Sequence, residues 1–486
     1  MKKHILLFAV LAFAACSSQE TKAVTFDPSV KYSKEVINAR MTSWKNKDNR
    51  VGFPNANSTN GSTTPGTAAS WDYVPGVVAK GILDVWEYYQ DSTWAAAWYE
   101  GLSSWALSKT AKNTGGSLDD LNCTKVFLGV YDGCKPGGKY DNSTNAAYCM
   151  TQLGRGATGL EAHKASCSIS GTSSTADGGW YHKSSYGNQM WCDGAYMGPA
   201  LLAQLLAYGV STTLTWSDVM TQFTSSWGGL WDDDADLLWH CFSTDQSTGG
   251  ASGWYYVPGI VKQGGGYHSA EYWGRANGWY IMALVDVLEA MEMSGKSGDA
   301  DFLIIQGYLT QLAAGLVARQ DATTGCWYQL LQYDDSKCAT QGVDATGSGT
   351  YKNVSAGGTQ CNYLESSGSC LITAALLKGL RKGYIPSAIG LLDIQGAAKR
   401  GYEGIINNFL SGSAGTYEIT SSCQSAGLGS DRNGSAAYYL IGKDVPIQND
   451  SEGKVLGPFL MAAVEYERAY SPAAAGACGC INITVE

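Results

Sequence analysis

One acid stands out by its neighbours. The run Met190-Trp191-Cys192-Asp193-Gly194-Ala195-Tyr196-Met197 sets Asp193 among Met, Trp and Tyr side chains. A carboxyl group in apolar, aromatic surroundings has its charged form disfavoured, so it can stay protonated near neutral pH and serve as a general acid. The residues from Ala200 to Leu206 read as a helix, which leaves an N-cap as the competing reading of Asp193. Cations interleaved with rings lie on both sides: Trp180-Tyr181-His182-Lys183 upstream, then Trp239-His240 and Tyr272-Trp273-Gly274-Arg275-Ala276-Asn277-Gly278-Trp279 downstream. Rings stack on sugar faces while Arg, Lys and His hold carboxylates, so the pattern suits an anionic sugar. Taken singly, each residue also fits a satisfied core His or an ordinary salt-bridged Arg.

These side chains must be positioned by helices. Apolar residues recur at helical spacing over Val77 to Tyr89, Trp94 to Leu107, Lys125 to Val130, Leu201 to Tyr208, Gly278 to Met293, Phe302 to Ala318, Ser369 to Lys382, Leu391 to Phe409 and Leu456 to Tyr470. Convincing strands are few, so the chain reads as all-α, with about a dozen helices once weaker candidates are counted. Each helix must bury its apolar stripe on another, and paired antiparallel helices achieve this. The 44% hydrophobic content supplies a large core.

Several segments, in order, resemble the unsaturated uronyl hydrolases of glycoside hydrolase families 88 and 105, and more closely the unsaturated rhamnogalacturonyl hydrolases of family 105. They are the Trp-Tyr-His-Lys run at 180–183, Gln189 to Met197, and Trp273 to Trp279. Ser70 to Val77, Ser117 to Asn122, Asn362 to Ser369 and Asn449 to Leu460 extend the likeness over roughly residues 35–470. The resemblance implies an (α/α)6 barrel, a six-hairpin toroid, with the active site at one mouth. It implies Asp193 as the catalytic acid and base, and Asp119 as the second acid, although its neighbour Asp120 competes for that place and a helix cap is an equal reading. It places His182, Lys183, Trp191, His240, Arg275, Trp279 and Tyr73 around the substrate. Arg275 is suited to a bidentate grip on a uronate carboxylate. No metal or cofactor is implied, because the electrophile is a proton.

That chemistry begins with a sugar carrying a C4=C5 double bond, the product of a polysaccharide lyase. The implied substrate is an unsaturated oligosaccharide of pectin or rhamnogalacturonan type, with glycosaminoglycan disaccharides as the alternative. Two rivals remain: a glycan-binding lipoprotein without turnover, and an inverting glycosidase or lyase using Glu271 or Glu365 with Asp193.

Composition sets the context. The net charge of −10 argues against nucleic acid or an anionic membrane surface as partner. Residues 1–16 read as an export signal, with a lipoprotein-type processing site at Cys16 or an ordinary signal-peptidase site at Ala12-Phe13-Ala14, which predicts an exported bacterial protein, periplasmic or anchored to the outer membrane and touching membrane only through that lipid. Residues 17–34 read as a linker, 35–470 as one barrel domain with a loop insertion at about 133–175, and 471–486 as a tail. The Gly/Ser/Thr-rich stretch Asn55 to Ser70 reads as a loop. Close cysteine pairs in loop-like sequence suggest disulfides: Cys123 with Cys134, Cys149 with Cys167, Cys326 with Cys338, and Cys361 with Cys370.

Overall fold

The computed structural model describes residues 24–39, 71–169, 178–244, 255–257, 266–344, 354–355, 357–429 and 432–470. The signal segment 1–16, the stretch 55–70 and the tail 471–486 lie outside them.

Six helical segments form an inner ring. They are Tyr73–Tyr89, the continuous run from Cys123–Lys125 into Val126–Cys134, the pair Cys192–Met197 and Pro199–Ala207, then Gly274–Met293, Ser366–Arg381 and Gly453–Tyr470. Each packs on the next, and Gly453–Tyr470 returns to Tyr73–Tyr89 to close the ring. Between them in sequence run the outer helices: 32–39, Thr93–Leu107, Ser143–Ser166, Trp216–Leu230, Ala300–Ala318 and Ile394–Phe409. The alternation of outer and inner helices is the (α/α)6 toroid.

Residue pattern decides which ring a helix joins. Gly274–Met293 is buried on nearly every face, from Arg275 through Met291. A helix apolar all round belongs inside. Ile394–Phe409 instead buries one stripe, Ile394, Ala397, Ala398, Gly401, Tyr402, Ile405, Ile406 and Phe409, and gives its other face to water. Inner helices approach closely where side chains vanish. A Cβ on Gly81 would stand 2.6 Å from the Gly457 carbonyl oxygen, and one on Gly457 would stand 2.5 Å from that of Val77. Any larger residue at either position would push those two helices apart.

The structure changes three readings of the sequence. Most of the expected insertion at 133–175 is the 24-residue outer helix Ser143–Ser166. Its buried stripe of Ala146, Cys149, Leu153, Gly156, Ala157 and Leu160 keeps helical spacing, but apart from the two leucines its side chains are too small to register as a hydrophobic stripe. The linker at 17–34 does not extend to its end: Tyr32 and Ser33 are buried, and Ser33 donates from its amide and hydroxyl to Glu467 at 2.9 and 2.6 Å. None of the four expected disulfides forms. Cys338 bonds to Cys361 because they face each other across the paired strands Cys338–Thr340 and Thr359–Cys361. Cys123, Cys134, Cys149, Cys167, Cys326 and Cys370 are buried free thiols. Among the described residues one helix, Ala300–Ala318, is long and apolar enough to cross a membrane, but it packs in the outer ring against Gly274–Met293.

Candidate active site

A small antiparallel sheet brings the acid to the barrel mouth. Strand Gln189–Trp191 pairs with Cys241–Ser243, with Trp191 opposite Cys241. Cys241–Ser243 pairs in turn with Gly266–His268. The first strand runs directly into the short helix Cys192–Met197, and Cys192 N donates to the His240 carbonyl at 3.1 Å. Asp193 and His240 therefore sit side by side, with His240 Nε2 3.4 Å from Asp193 Oδ2. Trp191, rather than Asp193, occupies the N-cap position of this helix, which removes the competing reading of Asp193. The Asp193 side chain is 14% exposed, and its Oδ2 is buried without a hydrogen-bond partner.

A second segment carries the other carboxylate. Ser117 caps the helix Leu118–Asn122 and bridges to Lys183, while Leu118 N donates to the His182 carbonyl at 3.1 Å. This places Asp119 against the Trp-Tyr-His-Lys run. Its Oδ2 meets Lys183 Nζ at 2.6 Å and its Oδ1 meets His182 Nε2 at 3.2 Å. Burial alone would raise the Asp119 carboxyl, but the adjacent His182 and Lys183 hold it well below the usual carboxylate range. Asp120 is exposed, so Asp119 is the acid that faces inward.

These residues enclose a cavity of about 190 Å3, larger than the roughly 150 Å3 that accommodates a benzene ring. Of the residues expected from the sequence, Tyr73, Asp119, His182, Lys183, Trp191, Asp193, Arg275 and Trp279 line it. Trp191 stacks nearly parallel to His182 at 4.9 Å and to Tyr186 at 5.0 Å. His240 is not among the lining residues; it stands behind Asp193, fully buried. Burial pushes its imidazole below the ordinary value despite the nearby Asp193, so it is not a cation offered to the cavity.

Arg275 is held rather than free to swing. Its Nη1 donates to Ser367 Oγ at 3.1 Å and to the Cys423 carbonyl at 2.5 Å, and the guanidinium lies 4.6 Å from the Trp273 ring. Its partner segment around Cys423 continues into Ser425, Ala426 and Gly427, which line the far wall together with Arg432, Asp444 and Lys454. Although Lys454 falls within the Asn449 to Leu460 segment, none of that wall was named as a site residue from the sequence. Its cations are each ion-paired, Arg432 with Asp444 and Lys454 with Glu452, both at 2.5 Å. A lone Arg in a loop, or a lone Lys in the first turn of Gly453–Tyr470, carries no local pattern that marks it as cavity-facing, so only the tertiary fold could reveal them.

The carboxylates of the rival glycosidase reading do not line the cavity. Glu365 caps Ser366–Arg381, accepting from Ser367 N, Gly368 N and Cys423 N at 3.1, 2.6 and 2.9 Å. Glu271 is buried, bonded to Gln332, and pushed up to about 7 by that burial. Among the described residues no group of His, Cys, Asp or Glu is arranged to hold a metal ion.

Comparison with known proteins agrees with this fold. The glycosyl hydrolase family 88 model matches residues 52–351 and 343–470. A family 105 glycoside hydrolase from C. acetobutylicum ATCC 824 superposes with a TM-score of 0.62 at 25% identity, over 90% of this chain and 99% of that one. The unsaturated glucuronyl hydrolase of a streptococcus (S. agalactiae) shares the fold at 13% identity, with a TM-score of 0.54 over 92% of this chain and 96% of that one. The unsaturated rhamnogalacturonyl hydrolase YesR of Bacillus subtilis (strain 168) is 31% identical over 106 residues, 22% of this chain and 28% of that protein. The chain belongs to glycosyl hydrolase family 88 and is a glycoside hydrolase.

Proposed function

We propose that this hydrolase removes a 4,5-unsaturated uronic acid from the non-reducing end of lyase-generated oligosaccharides by hydrating the C4=C5 bond. The observation that carries the reading is the inequality of the two carboxylates in one ring-sized cavity. Asp119 is neutralised by His182 and Lys183, while Asp193 faces only a neutral imidazole. An ordinary glycosidase needs two carboxylates acting together on the anomeric carbon. Hydration of an enol ether needs one acid that later serves as a base.

Asp193 gives its proton to C4, and the positive charge that develops at C5 is shared with the ring oxygen. Water adds at C5 and loses its proton to the Asp193 carboxylate. The hemiketal so formed opens to a C5 ketone, and the new hemiacetal at C1 collapses to an aldehyde and releases the next sugar as an alcohol. Asp119, fixed by Lys183, orients water or ring hydroxyls. Trp191 and Trp279 offer faces to the sugar, while Lys183 and Arg275 supply positive potential for the uronate carboxylate.

The preferred substrate is of rhamnogalacturonan type, supported by the Trp-Tyr-His-Lys and Trp-Gly-Arg-Ala-Asn-Gly-Trp segments and by the stretch shared with the rhamnogalacturonyl hydrolase. Export and lipidation at Cys16 belong to the same proposal and are read by the mass of the N-terminal peptide of the exported protein.

The test follows the ultraviolet absorbance of the conjugated double bond in lyase-digested rhamnogalacturonan. Loss of that absorbance with wild-type protein but not with Asp193→Asn is the expected result. Loss only on lyase-digested chondroitin or heparin moves the substrate and keeps the chemistry. Turnover of saturated glycosides with no loss on any unsaturated one overturns the proposal.

A further inference from the structure

Tyr439 lies outside the cavity lining, yet it touches the residue that backs the acid. It is fully buried on the short helix Ala436–Ile441, and its hydroxyl is 2.6 Å from His240 Nδ1. The opposite edge of the same imidazole, Nε2, faces Asp193 Oδ2 at 3.4 Å. Both of those atoms are buried and have no other hydrogen-bond partner. The ring plane is set by Trp191, edge-on at 5.0 Å, and by Trp273 at 4.7 Å.

A neutral imidazole has one N–H and one bare nitrogen. His240 is neutral, because burial disfavours its cation and the charges of His182 and Arg275 add to that effect against the pull of Asp193. With the proton on Nδ1, the bare Nε2 lone pair would point at an oxygen of Asp193. That contact is attractive only if Asp193 donates its own proton from Oδ2. Oδ2 is cut off from the cavity, so such a proton would be out of reach of substrate. With the proton on Nε2, that N–H points at Oδ2 and Nδ1 is left as an acceptor. The Tyr439 hydroxyl can fill it, since burial keeps the phenol protonated.

We propose that Tyr439 is a positioning residue of the reaction: its O–H, donated to His240 Nδ1, holds His240 as the Nε2–H tautomer, which engages Asp193 Oδ2 and leaves Oδ1 as the oxygen that exchanges the proton with substrate and water. No net proton passes through Tyr439 or His240; both keep their protons while Asp193 loses one to C4 and regains one from water. The role rests on the reading of Asp193 as the acid.

The experiment uses the full chain with 15N-labelled histidine near neutral pH, the His240 resonances being those lost in His240→Asn. In the wild type Nε2 carries the proton and Nδ1 is bare. In Tyr439→Phe, which keeps the ring and removes one oxygen, an Nδ1–H population appears, and kcat falls by about ten-fold or more while KM stays within about two-fold. An Nδ1–H tautomer in the wild type overturns the proposal, as does a Tyr439→Phe protein with the wild-type tautomer or with an unchanged kcat. A wild type that turns over no unsaturated uronide sinks the functional reading instead. The tautomer comparison needs no substrate, so the two failures are told apart.

Discussion

The mouth of the barrel and its waist treat charge in opposite ways, although the same inner helices build both. Arg275 and Asp286 lie eleven residues apart on Gly274–Met293, about 16 Å along the axis. Ser367, which holds Arg275, and Lys378 are the matching pair on Ser366–Arg381. At the waist every anion has a cation. Lys378 meets Asp286 at 3.0 Å and Glu289 at 2.6 Å, and Lys80 meets Asp84 at 2.5 Å. Burial would lower Lys378, but Asp286, Glu289 and Asp84 hold it well above its ordinary value. Burial would likewise raise Glu289, but Lys378 and its neighbours draw it down to about 2. At the mouth Asp119 is paired in the same fashion, and Asp193 is left against a neutral His240. Paired charges in a dry interior fix geometry; in the proposed mechanism the proton is passed by the carboxyl group left without a countercharge.

That contrast predicts unlike costs for unlike substitutions. On the proposed mechanism, Asp193→Asn removes the group that exchanges the proton, at a site whose neighbour His240 is neutral. It should lower kcat by about 10^2- to 10^4-fold while leaving the melting temperature nearly unchanged, as checked by steady-state kinetics and calorimetry. Lys378→Met does the reverse. It strands Asp286, leaves Glu289 only its looser contact with Lys382 at 3.5 Å, and should cost about 3–5 kcal/mol in chemical denaturation, with kcat per folded molecule preserved. A Lys378→Met protein that is stable but inactive would break the comparison, because it would tie the waist to the chemistry.

The sequence exposed the mouth far better than the waist, for a physical reason. Asp193, His182, Arg275 and Trp279 are flagged by aromatic or cationic neighbours within a few residues, so a local reading finds them. Lys378 looks in sequence like one more polar residue near a helix end, in Leu377-Lys378-Gly379. Its burial is visible only once Gly274–Met293 and Tyr73–Tyr89 are placed beside it. Helix Ser143–Ser166 escaped for another reason: apart from Leu153 and Leu160 the apolar part of its stripe is Ala, Gly and Cys, which pack closely without marking a strong hydrophobic face. The far wall of the cavity joins Lys454, at the start of Gly453–Tyr470, to the loop residues Ser425 to Gly427 and Arg432, and its only organising signal is tertiary.

Asp119 lies between the two regimes, at the mouth but paired. Asp119→Asn should cost about 1–3 kcal/mol, less than the waist because Lys183 is partly solvated. The pH dependence distinguishes an ion pair from a packing defect. The folded-state pKa of Asp119 is held below its unfolded value of about 3.9, so the wild-type advantage is fully present above that value. It is lost as pH falls through it toward the folded pKa. Denaturation curves of the two proteins should stay a constant distance apart above about pH 5 and converge in acid. Curves that keep their separation in acid would place Asp119 among the packing residues.

The smallest effect sharpens the boundary between the regions. Lys125 sits inside the inner ring and donates to the Tyr196 carbonyl at 2.6 Å, at the end of the helix that carries Asp193, with its ammonium over the Tyr196 ring. Unlike Lys378 it has no carboxylate in ion-pair contact among the described residues, and burial pushes it down to about 7. An unfolded lysine titrates near about 10.4, so between these values the unfolded chain holds a proton that the folded chain has released. Stability therefore rises with pH across that window, by at most about 1.4 kcal/mol per unit. Lys125→Met should flatten this rise, leaving the variant closest to wild type near pH 7 and increasingly behind it toward pH 9. An undiminished slope in the variant would mean that Lys125 stays charged throughout, paired at a distance with Asp286, and would move it from the mouth's economy of charge to the waist's.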